Sequence, residues 1–336
     1  LRYLIAAGER AEARYANDEA LSYYRRAREI LQESAGIVGD DLRWRVIVGL
    51  GDTYRFVGKY DLSVSALEEG VAMMRRSKLD IWRKAGIYRR LGQTYMSQGK
   101  PEAAYDHFRQ ALVALEEPED RPGQIEAART LYFLTYTHFR RGLWDKAKET
   151  CEMCRLYAEK TNDLSELAAV ENLLGGIAYQ QREREQAILH TERAMELRER
   201  AGYSWGVAST LGNLAILAGE SGDWDRAKSH FQHSLQLRQA LGDMEGVAIM
   251  NNNLGWLERV KGALDDAEDH FRECLKIAEP LKMIYHAANA MLGIGHIRQL
   301  KGDIGEAQTM ISGSVDRAEQ VDAQDLLSEV YRVQAD

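Results

Sequence analysis

Apolar residues recur along this chain at spacings of three and four, with polar residues between them. Tyr88, Leu91 and Tyr95 make one such stripe, and Ala104, Phe108 and Ala111 the next. That period places apolar side chains on one face of an α-helix. The stripes come in pairs, and the pairs repeat. Residues 211–231 read LGNLAILAGESGDWDRAKSHF, and forty residues later 251–271 read NNNLGWLERVKGALDDAEDHF. Both segments carry a leucine followed by a small residue, then a turn glycine, then an alanine four residues before an aromatic.

The same unit can be followed to both ends of the chain. The alanine that opens the second helix falls at Ala20, Ala104, Ala147, Ala187, Ala227, Ala267 and Ala307, with Ser63 in the second unit. The steps are 43, 41, 43, 40, 40, 40 and 40 residues. Five residues earlier stands the turn glycine: Gly58, Gly99, Gly142, Gly222, Gly262 and Gly302, replaced by Tyr15 in the first unit and Arg182 in the fifth. A glycine there predicts a helix stop in the left-handed conformation. The reading is eight helix pairs at about 1–36, 44–78, 85–118, 124–161, 165–202, 205–242, 245–282 and 285–321, then a terminal helix at 322–335 that caps the array. A helix pair this short cannot bury its stripe alone, so each must stack on its neighbours. Tyr24, Phe108, Phe231 and Phe271 are expected to fill the space towards the next pair. Residues 116–123, EEPEDRPG, are the least helical stretch and read as a flexible joint.

The pattern resembles the tetratricopeptide repeat in its forty-residue variety, across essentially the whole chain. Its best copy is IYRRLGQTYMSQGKPEAAYDHFRQAL, Ile87 to Leu112. The resemblance implies an all-α fold, a single right-handed superhelical solenoid over 1–336. Departures are local. The fourth unit has Thr135, His138, Cys151 and Cys154, and the fifth Thr191, at positions usually held by other types; less regular packing is expected there. Linkers such as Leu241-Gly242-Asp243 look like those in sensor arms of multidomain signal-transducing ATPases and transcriptional regulators. The start at Leu1, without Met, reads as a segment of a longer protein, with an effector domain expected upstream.

Composition narrows the function classes. No run of 18 apolar residues exists, so no membrane span is expected. Three cysteines in 336 residues argue against a disulfide framework and for a reducing compartment, hence the cytoplasm. A net charge of −8 disfavours nucleic acid or an anionic membrane as the partner.

Candidate chemistry is sparse. Cys151-Glu152-Met153-Cys154 is a C-x-x-C, but both thiols occupy core positions of a helix and no second pair exists; the structural reading is favoured. His107, His190, His230 and His270 share one repeat position, so neighbours stand about 10 Å apart, too far for one metal. Gly175-Gly176 and Gly293-Ile294-Gly295 lie within helices and after no strand, so they are packing glycines. No catalytic pattern, cofactor or metal is expected.

What remains is the groove. In the resembled family the first helix of each unit lines the concave face. Transferring those positions gives Arg2, Glu9, Glu12, Arg45, Asp52 and Arg55 at the start of the chain. Arg89, Arg90, Gln93 and Met96 follow, then Arg129, Tyr132, Tyr136, Phe139 and Arg140. The second half supplies Asn172 and Tyr179, Asn213 and Glu220, Asn252, Asn253, Trp256 and Arg259, and Asn289, His296 and Gln299. These include eight Arg against four Asp or Glu, a net +4 in a chain of −8. A basic groove is expected to attract a protein or peptide, acidic or presenting its C-terminal carboxylate. Asn can pair with both polar groups of an extended backbone, and Trp256, Tyr132 and Tyr136 can anchor it. Two other readings fit the fold: a small-molecule inducer pocket near units four to seven, and a scaffold for self-association.

Overall fold

The fold is that of a computed structural model, which describes residues 1–14, 16–33, 38–74, 77 and 79–335. Every regular element among them is helical, 17 α-helices in all. The chain divides into two compact units, Leu1–Gln181 and Arg182–Asp336. The first holds α1 (Arg2–Glu12), α2 (Asn17–Glu33), α3 (Asp40–Phe56), α4 (Tyr60–Met74), α5 (Ile81–Ser97), α6 (Pro101–Leu115), α7 (Arg121–Arg140), α8 (Trp144–Thr161) and α9 (Leu164–Gln180). The second holds α10 (Arg184–Arg200), α11 (Ser204–Glu220), α12 (Trp224–Leu241), α13 (Met244–Val260), α14 (Leu264–Ala278), α15 (Ile284–Leu300), α16 (Ile304–Gln320) and α17 (Gln324–Ala335). The fifth repeat supplies α9 to one unit and α10 to the other. The ends of the first two repeats as read from sequence, at 36 and 78, lie outside the described residues, as does Tyr15.

Within each unit consecutive helices pack as hairpins, α1 with α2 through α7 with α8, and α11 with α12 through α15 with α16. The turns follow from glycine. Gly99 (φ 73°) and Gly262 (φ 81°) take the left-handed conformation. The next residue then closes the helix end: Lys100 N–H donates to the Tyr95 carbonyl at 2.9 Å and Ala263 N–H to that of Glu258 at 2.9 Å. Arg182 adopts the same conformation with a side chain, at φ 61°.

Close approach explains the small residue after the leucine. The Phe271 ring lies between Gly255 on α13 and Gly293 on α15; a Cβ on either would fall 2.7 or 2.5 Å from a ring atom. Tyr24 is fitted in the same way against Gly8 and Gly49. A small polar residue on the second helix ties it to the start of the first. Ser234 Oγ donates to the Ala208 carbonyl at 2.7 Å, Ser314 Oγ to that of Ala288 at 2.8 Å, and Cys154 Sγ to that of Ala128 at 3.1 Å. Ion pairs repeat too: Lys261 Nζ reaches Asp225 at 2.8 Å, and forty residues later Lys301 Nζ reaches Asp265 at 2.6 Å.

Two sequence expectations need adjustment. The segment 116–123 is not a joint throughout: α6 ends at Leu115, Glu116 turns the chain (φ 52°), and α7 has already begun at Arg121. Pro122 sits in the first turn of α7, where its missing N–H leaves no bond unmade. In the fourth repeat Cys151 and Cys154 are fully buried in an apolar cluster with Ala128, Leu131 and Val170. The irregularity there is confined to polar atoms: Thr135 Oγ1 and His138 Nδ1 are buried without a hydrogen-bond partner among the described residues.

Candidate functional site

The first helices of the repeats also pack sideways on one another. In the first unit α1 meets α3, α3 meets α5, α5 meets α7, and α7 meets α9; in the second, α13 meets α15 and α15 meets α17. These helices therefore stand side by side as a wall within each unit, and they carry the groove positions read from sequence except Asn213 and Glu220, which lie on α11.

In the first unit the wall is a ladder of ion pairs, one rung per step. Arg45 on α3 grips Glu9 on α1 through two bonds of 2.9 and 2.6 Å. Arg90 Nε on α5 donates to Asp52 on α3 at 2.7 Å. Arg89 Nε donates to Glu126 on α7 at 2.5 Å, and its Nη1 to Gln93 at 2.9 Å. Arg129 on α7 donates to Glu166 on α9 at 2.9 Å. Arg89 and Glu126 are buried, whereas the Arg129 side chain is 47% exposed. Arg55 lies over the Phe56 ring at 4.3 Å, and burial pulls its basicity down. Glu12 accepts the hydroxyls of Tyr24 and Thr53, each at 2.8 Å, and burial pushes its carboxyl up.

The sequence reading did not include Glu126 and Glu166. The signal was available: an Arg is followed 37 residues later by a Glu twice, Arg89 with Glu126 and Arg129 with Glu166, at close to the forty-residue offset of the repeat. Tyr132 and Tyr136 are half-buried against the Cys151 cluster, and Tyr132 stands edge-on to Phe133 at 5.3 Å. Asn172 is half-buried and Tyr179 exposed, both on α9.

In the second unit the wall changes character. Asn213 on α11 is exposed; on α13 Asn253 is half-buried and Asn252 is buried, its Oδ1 without a partner among the described residues. Trp256 Nε1 donates to Asn289 Oδ1 on α15 at 2.6 Å, and the indole stands edge-on to Phe271 at 5.2 Å. The Arg259 guanidinium lies over that indole at 4.7 Å, and its Nη1 is 3.3 Å from His296 Nδ1. Trp256, Arg259 and His296 thus form one stacked cluster across α13 and α15.

The remaining chemical candidates are inert in this setting. Burial pushes the Cys151 and Cys274 thiols up to about 12, and that of Cys154 higher still, so none supplies thiolate at neutral pH. His107 stacks face to face on Tyr95 at 5.2 Å. Among the described residues no group of three or more His, Cys, Asp or Glu is placed to hold a metal, and no helix is long and apolar enough to cross a membrane.

Two family models, both described as tetratricopeptide repeat, match the chain at residues 206–279 and 87–122. No curated protein matches it. Solved structures with a similar fold are remote in sequence. One is a signal transduction ATPase with numerous domains from Pyrococcus horikoshii, described as having a tetratricopeptide repeat sensor: 14% identity, 98% of this chain and 53% of that one, TM-score 0.71. Another is a Rap protein complexed with competence and sporulation factor: 14% identity, 98% and 95% covered, TM-score 0.62. A third is the Rap conjugation gene regulator of plasmid pLS20 in complex with the Phr* peptide: 14% identity, 84% and 75% covered, TM-score 0.59. With its repeated helix pairs, its turn glycines and these matches, the chain belongs to the tetratricopeptide-repeat proteins.

Proposed function

We propose that this chain is a non-catalytic recognition module of the cytoplasm that binds an extended segment of a protein or peptide along the walls of first helices. The observation that carries the reading is the wall itself: adjacent first helices present aromatic, amide and guanidinium groups in a row that follows the repeat. Tyr132, Tyr136, Tyr179 and Trp256 serve as flat anchors, Asn172, Asn213, Asn252 and Asn253 as partners for peptide groups, and His296 with the arginines as the charged part. Support comes from structures of the same fold, one complexed with competence and sporulation factor and one with the Phr* peptide.

The basic character expected at the groove positions takes a narrower form. Arg45, Arg89, Arg90 and Arg129 already have carboxylate partners, so an acidic ligand engages them only by sharing or displacing those partners. The test is selection from a random displayed dodecapeptide library, followed by hydrogen–deuterium exchange of the bound complex. Protection on α5, α7, α9, α13 or α15 is expected. Protection confined to the second helices overturns the reading.

The array also fits the sensing arm of a larger regulator, because it covers about half of an ATPase whose repeats are described as a sensor. The coding sequence upstream of Leu1 tests this. An effector or nucleotide-binding domain is expected there, and a reading frame with none overturns it.

A further inference from the structure

Helical spacing of three and four puts Trp256, Arg259 and Val260 on one face of α13, and His296, Gln299 and Leu300 on the matching face of α15. Val260 and Leu300 are large, apolar and 55% and 59% exposed. They stand beside a cation that differs from the rung arginines. Each rung arginine of the first unit has a carboxylate, and Arg298 on α15 reaches Glu268 and Glu306. Among the described residues Arg259 has no carboxylate within ion-pair distance, and its Nε is buried without a hydrogen-bond partner. Burial weakens its hold on the proton, only partly opposed by Glu329 on α17, which is itself bonded to Arg332. The Trp256 ring fixes the guanidinium plane, which limits the entropy lost when a planar anion binds.

Resting on the peptide-binding reading above, we infer that the α13–α15 wall takes a segment with an aspartate or glutamate beside a branched aliphatic or aromatic side chain. Arg259 holds the carboxylate, and Val260 and Leu300 take the apolar group. Charge complementarity selects this occupant: a half-buried guanidinium with no carboxylate in direct contact gains most from one, in charge-assisted hydrogen bonds that the apolar pair shields from water. Trp256 is held by Asn289 and Phe271, so it acts as a fixed platform.

The experiment repeats the library selection on the full chain, with every displayed peptide fused at its C-terminus so that no terminal carboxylate is offered. Sequencing is expected to show acidic residues next to Leu, Ile, Phe or Trp, enriched on the order of tenfold, as one charge-assisted contact allows. Arg259→Gln is expected to abolish the acidic preference, and Arg259→Lys to keep it in weaker form. Val260→Glu changes an exposed position without threatening the fold and is expected to reject acidic segments. Enriched peptides without acidic residues, or the same motif from Arg259→Gln or Val260→Glu, overturn this inference and leave peptide binding standing. A library that enriches nothing overturns both.

Discussion

Arg89 on α5 and Glu126 on α7 meet at 2.5 Å with both side chains more than nine-tenths buried. A buried pair of this kind is expensive to break, because removal of one partner strands the other charge away from water. Arg89→Met is expected to destabilise the chain by about 3–5 kcal/mol in urea unfolding. Arg89→Met combined with Glu126→Leu should recover most of that loss, since the stranded charge is gone. Equal losses for the single and double variants would show that packing, not charge, is the dominant contribution.

Arg182 holds a left-handed turn that other repeats give to glycine. The Cβ strain of that conformation exceeds the extra chain entropy a glycine brings to the unfolded state. Arg182→Gly is therefore expected to gain about 0.5–1 kcal/mol, read as a higher melting temperature. Gly222→Arg, the reverse change one repeat on, should lose a similar amount.

Phe271 has no room for a methyl group on either side. Gly293→Ala is expected to lose about 1–3 kcal/mol by overpacking. Phe271→Leu in the same chain should restore part of it, because the smaller side chain vacates the contested space. No recovery in chemical denaturation would locate the strain elsewhere.

Burial lowers the basicity of His107, His138, His230, His270 and His286. A depressed folded-state value means stability is fully present above the unfolded value of about 6.5 and is lost as the pH falls through the folded values. The urea midpoint should therefore drop between about pH 7 and pH 5. His107 is a useful probe: its ring is stacked on Tyr95, and burial outweighs the opposing hydrogen bond with Gln110 and the charges of Asp106 and Glu68. His107→Phe should flatten part of the acid limb; an unchanged slope would show that His107 contributes nothing to it.

The fold was legible because its signals are local and repeated: the period of three and four, the turn glycine, and the small residue facing an aromatic. Gly255 and Phe271 announce each other within a single repeat. The site was legible only in position. Arg89 and Arg129 were readable as wall residues, yet their neutralisation by Glu126 and Glu166 depends on how far one first helix is offset against the next. That offset belongs to packing between repeats and is only faintly written in any single one. Trp256 stood out by its size, but its bond to Asn289 and its role as a bed for Arg259 required the α13–α15 register. Pro122 misled in the other direction, since a proline in a first helical turn and a proline in a loop look alike in sequence.

The Lys261–Asp225 and Lys301–Asp265 bonds are one contact written twice. Each spans 36 positions, so excision of residues 226–265 would leave Asp225 that same distance before the old Lys301, where Asp265 stood. An array built this way can be shortened or lengthened by duplication in whole periods of its own gene while each surviving joint finds a ready-made mate. A cut of half a period would leave the same lysine facing the wrong helix.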